Sequence, residues 1–254
     1  MTSKLSLNHL LKIAFVILTM IALSITSQKA TAQPTALPDA FKANYSVARG
    51  GMTLGNLHAS LKYSGNNYQY EKYTKATGLA ALLTGIKITE NTNGQLSGLE
   101  VIPKNYLFNQ SRRKKSRIDK VEFTGRNAVG SYKNTPYKLI MPHGAQDRAS
   151  LELVLARDIA QNKSRLQYNV VERGKIKKYN FQKLGVEQIK TPAGVFSATK
   201  VKVIRKGKKR ETVFWLAKKI DYLPVKIKHT EKGEVITTVI KSYQKLESIK
   251  TVKN

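Results

Sequence analysis

His143, Asp147 and Ser150 are the nearest this sequence comes to a catalytic cluster: an imidazole to take a proton, a carboxylate to orient it and a hydroxyl to attack. The same spacing suits the start of a helix, where Asp and Ser side chains bond free backbone N–H groups, and that structural reading is preferred. Other reactive patterns are missing. The chain has no cysteine, and His58, His143 and His229 are scattered without the spacing of metal ligands. No Gly-x-Ser-x-Gly elbow occurs. Gly125-Arg126-Asn127-Ala128-Val129-Gly130 has glycines at phosphate-loop separation, but Ser131-Tyr132 stands where Lys-Ser/Thr is required. The 16 acids form no assignable acid/base pair. The expectation is a noncatalytic protein with no cofactor and no metal.

Residues suited to binding are easier to find. Two basic runs, Arg112-Arg113-Lys114-Lys115 with Arg117, and Arg205-Lys206-Gly207-Lys208-Lys209-Arg210, each sit at or beside a predicted turn. Should those hairpin ends lie together, Arg112, Arg113, Arg205 and Arg210 would make an anion-binding rim; otherwise they are solvated loop tips. Neither run is interleaved with aromatic residues, so nucleic acid is not the expected partner. An apolar ligand face is expected from Phe214 and Trp215 together with Leu79, Leu82 and Leu83. The segment Leu79 to Leu83 is more apolar than a turn between strands needs, which fits a lid, a membrane-contacting tip or a core plug.

These residues need elements to position them. Turn signals recur at Arg49-Gly50-Gly51, Ser64 to Asn67, Asn91-Thr92-Asn93-Gly94, Thr124 to Asn127, Arg173-Gly174, Thr191 to Gly194, Lys206-Gly207-Lys208 and Glu231-Lys232-Gly233. Between them, apolar residues alternate: Phe41, Ala43, Tyr45 and Val47 fall on one face, as do Leu57, Ala59, Leu61 and Tyr63. Val213-Phe214-Trp215-Leu216 is apolar on both alternating sets, so the sheet there must be covered on both sides. A helix from about Arg148 to Asn162 supplies a stripe of Leu151, Val154, Leu155 and Ile159, with Glu152, Arg157 and Gln161 turned away and Asp147 as N-cap. A short second helix is predicted from Gly78 to Gly85. The fold class is mainly β: a single highly curved antiparallel sheet or half-open barrel of hairpins, with one amphipathic covering helix.

The chain's start reads as an export leader, with Lys4 and Lys12 before an apolar run from Ile13 to Ile25 and Ala30-Thr31-Ala32 behind it. The run is shorter than the roughly 20 residues that cross a bilayer, so cleavage after Ala32 and a periplasmic product without a transmembrane segment are expected. No cysteine follows to carry a lipid. The expected organisation is a signal peptide at 1–32, a flexible mature N-terminus at 33–40, one β-rich domain at 41–247 and a basic tail at 248–254. Of the net charge of +29, Lys4, Lys12 and Lys29 leave with the leader, giving +26 for the exported form. Such a surface seeks anions, and in an envelope these are lipid headgroups and acidic polymers.

The chain resembles a family of exported bacterial proteins, domain of unknown function 3108. The resemblance runs from Phe41-Lys42-Ala43-Asn44-Tyr45 to Lys241-Ser242-Tyr243. It includes Gly78 to Leu82 with Ile88-Thr89-Glu90, Pro103 to Tyr106, Gly144 to Ser150, Thr191 to Gly194, Trp215-Leu216-Ala217 and Tyr222 to Ile227. It implies an exported, mostly β domain and, by looser analogy, a curved sheet like those that hold acyl chains on a concave face in lipoprotein sorting. No catalytic residue can be carried over from such a family. The expected function is binding of an apolar or anionic envelope ligand such as a lipid. The alternatives are a structural or interaction protein of an envelope assembly and, third, a hydrolase.

Overall fold

A computed structural model describes residues 37–113, 115–205 and 210–247. The expected leader, positions 33–36, Lys114, residues 206–209 and the basic tail lie outside them. The described chain forms β1 (Phe41–Arg49), β2 (Met52–Ser64), β3 (Asn67–Ala76), helix α1 (Gly78–Thr84), β4 (Lys87–Ser97), β5 (Glu100–Arg112), β6 (Lys115–Thr124), β7 (Asn127–Tyr132) and β8 (Thr135–Ile140). After helix α2 (Ser150–Ala160) come β9 (Leu166–Glu172), β10 (Lys175–Thr191), β11 (Gly194–Ile204), β12 (Arg210–Ala217), β13 (Leu223–Glu231) and β14 (Glu234–Lys245). Gly50-Gly51, Lys133-Asn134, Arg173-Gly174 and Lys232-Gly233 all hold both central residues at positive φ. That is the turn whose twist matches a two-residue hairpin.

All fourteen strands join one antiparallel sheet in the order β8 to β1, then β14 down to β9. The first and last strands pair in its middle, Phe41 opposite Lys245. The two edges, β8 and β9, are neighbours in sequence, and the sheet does not close between them. The chain crosses the seam instead. The Gln146 N–H bonds the Asn169 carbonyl at 2.9 Å, its carbonyl accepts the Val171 N–H at 2.8 Å, and its side-chain amide reaches the Val101 carbonyl at 2.9 Å. A second clip uses Asp119, whose carboxylate accepts the Tyr137 hydroxyl of β8 at 3.2 Å and the Arg173 N–H beyond β9 at 2.7 Å. The expected half-open barrel of hairpins is thus present.

Three local expectations differ from the structure. Asn91 to Gly94, read as a turn, lies inside β4, and the chain turns after Ser97. Gly94 sits at a bulge against β5, where a Cβ would run into the Ile102 carbonyl, so its glycine serves close strand approach. The packed chain starts before Phe41: Leu37 and Ala40 are buried, and the Leu246 N–H bonds the Ala40 carbonyl. Helix α2 is buried on nearly every side because it lies inside the curve of the sheet. Leu155 and Ile159 pack with Leu166, Val201 and Leu216, while Leu153 and Val154 join the main cluster around Phe41, Tyr70, Tyr106 and Val121.

Candidate functional site

The inner face of β3 to β6 breaks the rule that strands bury apolar side chains. Lys72 stands opposite Glu90, and Glu90 opposite Phe108, which faces Asp119. Helix α2 meets this row with charges of its own. Glu152, expected to face solvent, accepts the Tyr70 hydroxyl at 2.8 Å and lies 2.5 Å from Lys72 Nζ. Lys72 also pairs with Glu90 at 2.9 Å, Tyr106 donates to Glu90 at 2.8 Å, and Arg148 approaches it at 3.7 Å. Burial pushes the Glu90 carboxyl up, but Arg148 and Lys72 outweigh it and hold the group at about 2. The Arg148 guanidinium is raised chiefly by Glu90. Buried charges this completely paired stay ionised and fix α2 against the sheet.

Asp147 and Ser150 belong to the helix start, as the structural reading held, although the helix begins at Ser150 and the N-cap position falls to Ala149, two residues after Asp147. Asp147 is fully buried and accepts the Thr92 hydroxyl at 2.6 Å and the N–H groups of Ala149 and Ser150 at 2.7 and 2.8 Å. His143 is out of reach, its side chain 91% exposed and 3.5 Å from Glu100. Burial nevertheless pushes the Asp147 carboxyl up to about 6, against those hydrogen bonds. Among the described residues no group of three His, Asp or Glu side chains is placed to hold a metal ion.

Beside this network lies a groove of about 820 Å³, within the range of small-molecule sites. Leu151 and Leu155 of α2 and the side chains Phe108, Phe181, Phe214 and Leu216 give it apolar walls. Seven Lys or Arg residues line it, against three acids. Arg148, Arg173, Lys177 and Arg210 are matched by Glu90, Glu172 and Glu231. Among the described residues Arg117, Lys178 and Arg205 have no carboxylate partner. Arg117 lies 5.4 Å from the Phe108 ring centre, and its buried Nε–H has no acceptor. Two smaller hollows, of about 560 and 530 Å³, each carry two Lys or Arg residues. Basic charge beside aromatic surface is concentrated in the groove.

The structure sorts the expected site residues into three places. Phe214, Arg205 and Arg210 line the groove. Trp215 does not: adjacent strand residues point to opposite faces, and its indole lies on the far side between its cross-strand neighbours Lys200 and Lys226, donating to Glu187 at 2.6 Å. Leu79, Leu82 and Leu83 stand exposed on α1, and Arg112 and Arg113 are exposed at the tip between β5 and β6. These elements share the end of the sheet at which Arg173, Arg205 and Arg210 of the groove lie, since β3, β5, β9, β11 and β13 all run towards it. The groove residues not expected from the sequence include Phe108, Arg148, Arg173, Lys177, Lys178 and Phe181. Arg117, by contrast, stood beside the first basic run.

Over residues 43–240 the chain matches the family described as "Protein of unknown function (DUF3108)". The chain belongs to the DUF3108 family. Comparison with curated proteins gave no match. Among solved structures, a beta-barrel-like protein of domain of unknown function DUF1849 from Brucella abortus superposes on this DUF3108 protein with a TM-score of 0.54 at 9% identity. That alignment covers 83% of this chain and 99% of the other. A candidate lipoprotein from Parabacteroides distasonis aligns over 83% of this chain and 98% of its own, at 10% identity and a TM-score of 0.33. The first likeness supports the barrel-like sheet of the DUF3108 fold. No described helix is long and apolar enough to cross a membrane.

Proposed function

We propose that the protein is a noncatalytic binding protein of the bacterial envelope whose groove takes an amphiphile with an anionic head, most simply a lipid. One observation carries this reading: aromatic and aliphatic walls share a groove with three basic side chains that no carboxylate among the described residues neutralises, one of them with a buried, unanswered N–H. A buried donor without an acceptor is unfavourable by about 1–3 kcal/mol, and an anionic ligand would remove that penalty. The leader-like start of the chain supports a periplasmic setting. The buried polar network beside the groove supports binding over catalysis, because Lys72, Glu90 and Glu152 are paired with one another and Asp147 is committed to backbone amides.

Native mass spectrometry of the protein purified from its own envelope tests the proposal. The expected result is one anionic lipid retained per chain. A ligand-free protein, or one carrying a variable number of zwitterionic lipids, contradicts it.

A further inference from the structure

Helix α1 is turned inside out. In a helix that packs on a sheet the large apolar residues face the sheet, yet here Leu79, Leu82 and Leu83 are 67, 64 and 78% exposed and the partly covered side is Ala80, Ala81 and Thr84. The segment is tied down on both sides of the helix by backbone bonds, from the Thr77 N–H to the Leu54 carbonyl and from the Ala76 N–H to the Ile86 carbonyl. Its outward leucines are spaced three and four apart, so they form one apolar face in water. Met52, 55% exposed, adds to it from the start of β2, a strand that α1 contacts.

The surroundings of this face are basic. Lys75 and Lys87 stand directly opposite each other at the base of α1, and Arg112 opposite Lys115 at the neighbouring hairpin tip. Like charges in direct cross-strand register are unfavourable. The Arg113 stem lies against Gly85, 3.2 Å from where a Cβ would be, which joins the basic hairpin to the end of α1. At the tip between β13 and β14, Glu234 is engaged by Arg49 at 3.0 Å and Glu231 by Arg210.

We infer that α1 and the hairpin tip at Arg112 and Arg113 form a docking surface for an anionic bilayer. The leucines enter the headgroup and acyl boundary, and the paired lysines and arginines meet lipid phosphates that relieve their mutual repulsion. The basic residues Arg205 and Arg210 of the groove lie at this same end of the sheet, so docking would bring them towards the lipid surface. The inference stands on α1 and its neighbours and does not require the groove to be filled.

The absence of cysteine permits a direct test on the protein purified from its own envelope. An environment-sensitive dye is attached to Leu82→Cys or, at the opposite end of the sheet, to Asn66→Cys. With phosphatidylglycerol vesicles the dye at 82 should shift to the blue and the dye at 66 should not, and phosphatidylcholine vesicles should move neither. Replacing Leu79, Leu82 and Leu83 by serine should weaken vesicle binding by about tenfold or more with unchanged melting, since these side chains are already in water. Arg112→Gln with Arg113→Gln should reduce the preference for the anionic vesicles. Equal shifts at 66 and 82, no shift at 82, or undiminished binding by the serine variant would overturn the inference. The first and last would mark simple adsorption of a basic chain. No shift at 82 would leave the leucine face to a protein partner.

Discussion

Asp147 shows how one buried carboxylate can hold two elements together and set a pH response. Its oxygens answer Thr92 on β4 and two N–H groups at the start of α2, so Asp147→Ala strands three donors in the core. The expected loss is about 3 kcal/mol, read by chemical denaturation. Because burial raises this carboxyl to about 6 from an ordinary 3.8, its folded form takes up a proton first. The stability it contributes is complete below about 3.8 and is lost as the pH rises through about 6. Glu90 works in the opposite sense: held at about 2, its contribution is complete above 4.5 and is lost as the pH falls through about 2. The melting temperature should therefore rise as the pH is lowered from about 7 to about 5 and fall in stronger acid. Asp147→Asn, which cannot titrate, should flatten the first limb and keep the second; identical profiles would contradict the assignment. The sequence showed Asp147 and Ser150 as a helix start because their signature is local. It did not show that Lys72, Glu90 and Tyr106 would meet Arg148 and Glu152, because a polar residue on a strand looks solvent-facing until a helix from elsewhere in the chain is seen to cover it.

Among the elements, the sequence was read best where one physical rule acts alone. Alternation located most strands, and the doubly apolar Val213 to Leu216 is packed on both alternating sets, Phe214 and Leu216 with Leu155 and Ile159 of α2 and Val213 and Trp215 with the main apolar cluster. The same alternation explains why Trp215 and Phe214, adjacent in sequence, cannot share a ligand face. Asn91 to Gly94 was misread because glycine marks both turns and close strand approach, and only the pairing with β5 separates them. The seam between β8 and β9 had no signal in the sequence, since it is made by side chains and one loop. It predicts a particular weak point. Gly174 has φ of +70° and the Tyr137 ring presses on it, 3.1 Å from where a Cβ would sit. Gly174→Ala should cost about 1–2 kcal/mol and speed amide exchange in β8 and β9 well before the rest of the sheet. Unchanged stability with uniform exchange would show that the seam does not depend on this contact.

At the scale of the molecule, a meander whose first and last strands pair in the middle carries both of its edges to one seam, and the helix joining them fills the interior. That topology brings the separate runs around Arg112 and Arg205 to one end of the sheet, which their spacing in sequence left open. Part of the net charge of +29 is turned into a groove that also holds Phe108, Phe181 and Phe214. The most direct test is a calorimetric titration with lysophosphatidylglycerol, alongside lysophosphatidylcholine and the Arg117→Gln variant. The account predicts saturation at one ligand per chain that survives added salt, weaker binding of the zwitterionic lipid, and a loss of about tenfold in Arg117→Gln. Heat that grows without saturating and fades with salt, or equal affinity in Arg117→Gln, would contradict it.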